Sequence, residues 1–108
     1  MDLNEYQKQA MQFNNMPKEY AIVFPALGLN GEAGEVAEKV KKVLRDNDGA
    51  FTGEKCLEIA KELGDCLWYV AALANSIGYT LDEIGEMNIH KLMSRQQRGV
   101  IHGDGDNR

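Results

Sequence analysis

The sequence predicts an all-α protein, and three observations support this prediction. Apolar residues recur at spacings of three and four along most of the chain, as they do on one face of a helix. Two long segments with this spacing, 25–45 and 53–76, are separated by the turn-forming run 46–49. The one strand-like run, 20–24, has no second strand pattern with which to pair. We therefore expect a helical bundle with two long central helices, in one domain over residues 1–108.

The first two helices are delimited by capping residues and prolines. The first helix is predicted from residue 2 to about residue 14, with Asp2 as its N-cap and Pro17 beyond its end. The segment that follows is a connection into the second helix. That helix is predicted to begin at Pro25 or Ala26 and to end at Arg45.

The third helix, predicted over 53–76, ends in the nine consecutive apolar residues 66–74. A helix that is apolar on all sides is buried on all sides, and a chain of 108 residues has few elements with which to cover it. We therefore expect a homodimer or homotetramer that completes the bundle. The fourth helix is predicted over 80–98, because Thr80 and Glu83 have the spacing of a capping box. The tail, 99–108, has three glycines and is expected to be a loop.

Charge and hydropathy exclude two classes of partner. The chain has 12 Lys and Arg against 17 Asp and Glu, a formal net charge of −5. Proteins that bind nucleic acids use an excess of Lys and Arg to neutralise phosphates, so we expect no nucleic-acid partner. No apolar run approaches the roughly 18–20 residues that span a bilayer, and the first residues do not resemble a signal peptide. We expect a cytoplasmic protein without a membrane partner.

Two pairs of acidic residues are the candidate metal site. Glu32 and Glu35 are three residues apart, as are Glu62 and Asp65. Residues at this spacing lie on one helix face, where like charges destabilise the helix unless a cation offsets them. If the two long helices pack antiparallel, the four carboxylates can face one another and bind Mg²⁺ through oxygen ligands. Since Asp65 adjoins the apolar run, we also expect it to be partly buried. The alternative is that all four are ordinary solvated charges.

Three polar residues of the fourth helix are candidates for binding phosphate groups. Lys91 and Arg95 are four residues apart on one face, and Asn88 precedes Lys91 by one turn. Arg and Lys bind phosphate through bidentate and point-charge contacts. The alternative is that they complement the negative end of the helix dipole. Trp68 is a candidate for stacking on a nucleobase, with core packing as its alternative role.

Three sequence segments resemble a known family. Gly28 to Val36 and Glu62 to Tyr69, with the ending Asn88 to Arg108, resemble the MazG-like all-α nucleoside triphosphate pyrophosphohydrolases, in particular short single-domain, phage-type members. The resemblance implies hydrolysis of ribo- and deoxynucleoside triphosphates to a monophosphate and pyrophosphate. It implies that Mg²⁺, or Mn²⁺ in its stead, is bound by Glu32, Glu35, Glu62 and Asp65. It also implies that Asn88, Lys91 and Arg95 lie near the triphosphate.

The mechanistic hypothesis is attack on the triphosphate by a metal-activated water, with Glu35 as the residue that orients or deprotonates that water. Lys91 and Arg95 would stabilise charge on the departing pyrophosphate. One alternative is a phosphoribosyl-ATP pyrophosphohydrolase, which shares the helical carboxylate pattern. The other is a helical oligomer that binds Mg²⁺ or nucleotide without turnover.

Overall fold

The structure, a computed structural model, describes all residues from 1 to 108 and contains no β-strand. Its four α-helices are α1 (Leu3–Ala10), α2 (Val23–Asp46), α3 (Gly53–Ser76) and α4 (Leu81–Arg98). Two short 3-10 turns, Met11–Phe13 and Lys18–Tyr20, lie between α1 and α2. The predicted all-α class and the two long helices are confirmed.

Local side chains cap the helices as the sequence predicts, but α1 ends at Ala10 and not at about residue 14, because its last predicted turn is the 3-10 turn Met11–Phe13. Asp2 Oδ1 accepts a hydrogen bond from the Glu5 N–H at 2.8 Å and so caps α1. Thr80 and Glu83 form the predicted capping box at the start of α4. Gly78 after α3 and Gly99 after α4 have left-handed backbone angles, φ 87° and 70°, which a glycine adopts at little cost.

The start of α2 differs from the prediction by two to three residues. The helix begins at Val23, so Pro25 lies inside its first turn instead of before it. Proline is tolerated there because the first N–H groups of a helix have no partner within the helix. The strand-like residues 20–24 form the end of a 3-10 turn and the beginning of α2. A strand has no neighbour with which to pair in this chain.

The helices α2 and α3 pack side by side and antiparallel, joined by a short turn in which Asp48 and Gly49 have positive φ. The helix α1 lies on α3 and on the start of α4. Its buried Gln7 donates to the carbonyls of Ala71 and Tyr79, each at 3.2 Å, and accepts from the Leu81 N–H at 3.1 Å. The Gln7 side chain therefore links α1 to the end of α3 and to the start of α4.

The apolar run 66–74 is only partly covered within the chain. Ala71, Ala72 and Ala74 are buried, whereas Leu67 is exposed and the remaining members are half-buried. Only 9 of the 108 residues are buried in total, so this chain does not surround the run by itself. No helix has both the length and the apolar character needed to cross a membrane.

Candidate active site

Three carboxylates meet where α2 and α3 face each other. Glu32 extends from α2, and Glu62 and Asp65 extend from α3. One carboxylate oxygen from each lies within 4.8 Å of the other two. Antiparallel packing, which was the condition for the four carboxylates to face one another, therefore brings together one residue of the first pair and both residues of the second.

The two helices approach closely one turn from this group because of a glycine. Gly28 on α2 faces the ring of Tyr69 on α3, and a Cβ atom at Gly28 would overlap Tyr69 Cε1 and lie 2.5 Å from Cζ and 2.7 Å from Cδ1. The missing side chain provides the space for the ring. Gly28 and Tyr69 are each four residues from a member of the carboxylate group, Glu32 and Asp65, so this contact lies directly beside it.

The electrostatics of the group favour a cation. The pKa of Glu32 is raised above its ordinary value, first by partial burial and then by the negative charges of Asp65, Glu62 and Glu35. None of the four acids forms an ion pair with a Lys or Arg of the chain. Three oxygen donors without a positive partner match the ligands that Mg²⁺ prefers. An octahedral ion with bonds of about 2.1 Å spaces its ligands about 3–4 Å apart. The oxygens of Glu32, Glu62 and Asp65, which lie within 4.8 Å of one another, would need to approach by about 1 Å to reach that spacing.

Glu35 lies outside the three-carboxylate group. It is exposed on α2, one turn after Glu32, and is near enough to raise the pKa of Glu32. Asp65 is exposed, so the expectation that it is partly buried is wrong for the single chain. Glu32 and Glu62 are half-buried.

The predicted phosphate-binding residues lie together on α4, but their charges are paired with the tail. Lys91 Nζ lies 2.7 Å from Asp106 Oδ1, and Arg95 Nη2 lies 3.2 Å from the same oxygen. These two contacts, led by the hydrogen bond from Lys91, lower the pKa of Asp106. Asn88, Lys91 and Asp106 line a pocket of about 350 Å³ together with Ile84 and Met87. The structure does not pair these cations with the carboxylates of α2 and α3.

Trp68 packs α1 against α3. Its indole N–H donates to the Ala10 carbonyl at 3.2 Å, and its half-buried ring meets Tyr69 edge to face with centroids 5.2 Å apart. This geometry corresponds to the core-packing alternative. Contact between Trp68 and a nucleobase stays a prediction.

The contacts of two further residues were not predicted from the sequence. Tyr6 of α1 lies near Asp65, and the pKa of Tyr6 is raised by burial and then by that carboxylate. Asp106 forms ion pairs with both Lys91 and Arg95. The spacing of Tyr6 indicates only a core residue of a helix, and Asp106 lies in a tail without periodicity. The contacts of these two residues could therefore not be predicted before the fold was known.

Two of three comparisons with known proteins found a match. The family model described as the MazG nucleotide pyrophosphohydrolase domain matches residues 26–100, which include the four acids and the basic residues of α4. The chain is also similar to the Gene 37 protein of Mycobacterium phage L5, with 53% identity over 87 residues, or 81% of this chain and 76% of the phage protein. No solved structure matches the chain. Because the domain match covers well over half of an all-helical chain, and includes the two helices that bring the carboxylates together, the chain belongs to the MazG nucleotide pyrophosphohydrolase family.

Proposed function

We propose that this protein hydrolyses ribo- or deoxynucleoside triphosphates to a nucleoside monophosphate and pyrophosphate, and that it requires Mg²⁺. The observation that carries the proposal is the convergence of Glu32, Glu62 and Asp65 to within 4.8 Å. Nucleotide pyrophosphohydrolase activity in general follows from the family. The triphosphate substrate, the metal and the residue roles are the proposal.

The acidic residues divide into two roles. Glu32, Glu62 and Asp65 would hold the metal, since their oxygens converge and have no cationic partner. A bound Mg²⁺ supplies positive charge to phosphate oxygens and lowers the pKa of water. Glu35, exposed one turn away, is free to accept a proton from the attacking water. Water breaks the anhydride between the α- and β-phosphates, and the proton goes to the Glu35 carboxylate.

The residues of α4 would bind the departing pyrophosphate. Lys91 lines the pocket of about 350 Å³, and Asn88 offers an amide N–H there. Arg95 supplies a second positive charge through the same Asp106 carboxylate that Lys91 contacts. Charge builds on the leaving group as the anhydride breaks, so fixed cations stabilise the transition state more than the bound substrate. Neither cation can then be exchanged for a neutral residue without a loss of rate.

We also propose that a second copy of the chain completes the bundle, as a homodimer or homotetramer. A compact monomer of this mass is expected to expose about 6,000 Å², whereas the chain exposes 7741 Å². The excess of about 1,700 Å² is of the size that one subunit buries in an obligate dimer. Exposed leucines along α3, Leu57, Leu63 and Leu67, supply an apolar face for that contact.

The experiment incubates the protein with a panel of ribo-, deoxy- and modified nucleoside triphosphates and Mg²⁺, and separates the products. Monophosphate and pyrophosphate are expected, and release of orthophosphate would contradict the bond assignment. Phosphoribosyl-ATP is included, because turnover of it alone would identify the alternative substrate. Binding of Mg²⁺ and nucleotide without any product would favour the non-catalytic oligomer.

Matched variants test the residue roles. Glu35→Gln and Asp65→Asn are expected to abolish turnover while the helical circular dichroism spectrum is retained. Glu38→Gln is the control on α2, because Glu38 pairs with Lys41 at 2.7 Å on the exposed face. Glu58→Gln is the control on α3, since Glu58 pairs with Lys55 at 3.6 Å. Equal activity in a site variant and its control would remove that residue from the mechanism.

A further inference from the structure

The C-terminal tail is folded against the basic side of α4. Asp106 accepts from Lys91 Nζ at 2.7 Å through Oδ1, and its backbone carbonyl accepts from Arg95 Nη2 at 2.7 Å. The same Arg95 atom is 3.2 Å from Asp106 Oδ1 and 3.4 Å from the Gly105 carbonyl. One acidic residue therefore engages both cations that the proposed mechanism needs.

The tail holds this position through its own arginine. Arg108 donates to the carbonyls of Val100, Ile101 and Gly105 at 2.8, 2.7 and 2.6 Å, which closes the tail into a loop. Arg98 donates to the Arg108 carbonyl at 2.5 Å and ties the loop to the end of α4. These bonds leave Asp106 as the acidic side chain directed at the α4 cations. Asp104, two residues earlier, forms no hydrogen bond or ion pair.

Arg95 is buried and Asp106 is exposed, which suggests that another anion can replace Asp106 at Arg95. The Arg95 side chain is 7% exposed and its Nε has no hydrogen-bond partner, whereas the Asp106 side chain is 78% exposed. A buried guanidinium with an unused N–H can accept a ligand with more oxygen atoms than one carboxylate has. A phosphate group provides such oxygens and a larger negative charge. Since Asp106 is mostly in solvent, it can leave without a large desolvation change.

We infer that Asp106 is an intramolecular competitor of the substrate's phosphates: in the free protein the tail occupies Lys91 and Arg95, and a bound pyrophosphate group displaces it. This inference depends on the proposed role of these two cations. A tethered carboxylate competes at a high effective concentration, so it weakens apparent phosphate affinity without any change in the site. The tail also keeps unpaired positive charge off the surface until an anion of the right size arrives.

The expected size of the effect is modest. Both ion pairs share the mostly solvent-exposed Asp106 carboxylate. Pairs with a solvated partner have small net energies, which correspond to equilibrium factors of up to about five. Removal of the competitor is therefore expected to tighten pyrophosphate binding by about two- to fivefold.

The test titrates inorganic pyrophosphate, in excess Mg²⁺, into the full-length chain by isothermal calorimetry. Asp106→Asn is expected to bind two to five times more tightly than the native sequence, since its amide cannot form either ion pair. Asp104→Asn is the matched control, because it removes the same charge from the same tail without touching Lys91 or Arg95. Hydrogen exchange of residues 104–108 gives a second readout, and pyrophosphate is expected to increase it.

The outcomes separate this inference from the proposed function. Tighter binding by Asp106→Asn alone supports competition, even if no nucleoside triphosphate is turned over. Turnover by the native chain together with unchanged or weaker pyrophosphate binding by Asp106→Asn would overturn the competition and leave the proposed function standing. An equal gain in both tail variants would assign the effect to net charge and would also overturn it.

Discussion

The contact between Gly28 and Tyr69 determines how closely α2 and α3 approach beside the carboxylates, and Gly28→Ala tests it. The new methyl group would overlap Tyr69 Cε1 and lie 2.5 Å from Tyr69 Cζ. Carbon atoms in contact are ordinarily about 3.5–4.0 Å apart, so the ring or the helices must move by at least about 1 Å. Trp68 packs edge to face against this ring with centroids 5.2 Å apart, so a shift of the ring also disturbs that contact.

The magnitude follows from two opposing terms. Forcing extra volume into a packed contact costs about 1–3 kcal/mol, whereas replacing glycine by alanine inside a helix gains about 1 kcal/mol. We therefore expect Gly28→Ala to destabilise the protein by about 0–2 kcal/mol. Gly31 lies on the same helix, and no atom is within 4 Å of its Cβ position. Gly31→Ala should therefore gain the helix propensity of alanine, about 1 kcal/mol, without any steric cost. The two variants should differ by about 1–3 kcal/mol.

The assay is thermal unfolding at one fixed protein concentration, since association of subunits makes the melting temperature depend on concentration. At about 4 °C per kcal/mol for a chain of this length, Gly28→Ala should melt about 4–12 °C below Gly31→Ala. In a Tyr69→Leu background the difference should largely disappear, because the ring edge is gone. Equal melting temperatures, or a difference that persists without the ring, would refute the reasoning.

The same substitution should weaken metal binding. A separation of α2 and α3 by about 1 Å moves Glu32 away from Glu62 and Asp65, whose oxygens already lie up to 4.8 Å apart. An octahedral ion tolerates little deviation from its ligand spacing. Mg²⁺ affinity, measured by calorimetry, should fall in Gly28→Ala and should be retained in Gly31→Ala.

Three further predictions concern pH, Trp68 and subunit association. The pKa of Glu32 is raised above 4.5 in the folded chain. The folded chain therefore binds the carboxyl proton of Glu32 more tightly than the unfolded chain does. Without metal, this contribution to stability is lost as pH rises through the raised pKa. Mg²⁺ binds only the ionised carboxylates, so it should remove this loss of stability. The measurement is the melting temperature against pH with and without Mg²⁺, and identical profiles would contradict binding of the metal at Glu32. Trp68→Phe removes the hydrogen bond to Ala10 and should cost about 1 kcal/mol in unfolding free energy without raising KM; a raised KM would instead indicate base stacking. Sedimentation equilibrium of the native chain should give at least twice the chain mass of 12.0 kDa. Leu63→Glu should lower the measured mass, and a monomeric native chain would refute association.

The sequence was sufficient to predict the helices and the approximate carboxylate site because both depend on short spacings. Asp2 and Thr80 act through residues three positions away, and such pairs are visible in a linear sequence. The antiparallel arrangement of α2 and α3 follows from two long helices joined by a short turn. Residues 20–24 were the ambiguous case, because their composition favours a strand and only the lack of a second strand decided against it.

The contacts made by Tyr6, Gln7 and Asp106 could not be predicted in the same way. Gln7 joins residues 64 to 74 positions away, so its role depends on the whole fold. Asp106 depends on a glycine-containing tail whose course is determined by hydrogen bonds from Arg108 to three carbonyls. Neither pattern has a periodicity in the sequence, and a polar residue on a helix face is usually solvated.

The separation of Glu35 from the other acids has a geometric cause that also supports its separate role. Three residues advance a helix by about 300°, which is 60° short of a full turn. When Glu32 faces the groove between α2 and α3, Glu35 is offset from Glu32 by about 60° around α2, and Glu35 is exposed. Glu62 and Asp65 have the same spacing on α3, and each has a carboxylate oxygen within 4.8 Å of one of Glu32. The motif spacing is identical in the two helices, so the packing of α2 against α3 decides that Glu32, Glu62 and Asp65 converge and that Glu35 does not. The proposed proton acceptor needs a carboxylate that lies beside the proposed metal ligands and is not one of them, and Glu35 is the acid of the four outside the convergent group.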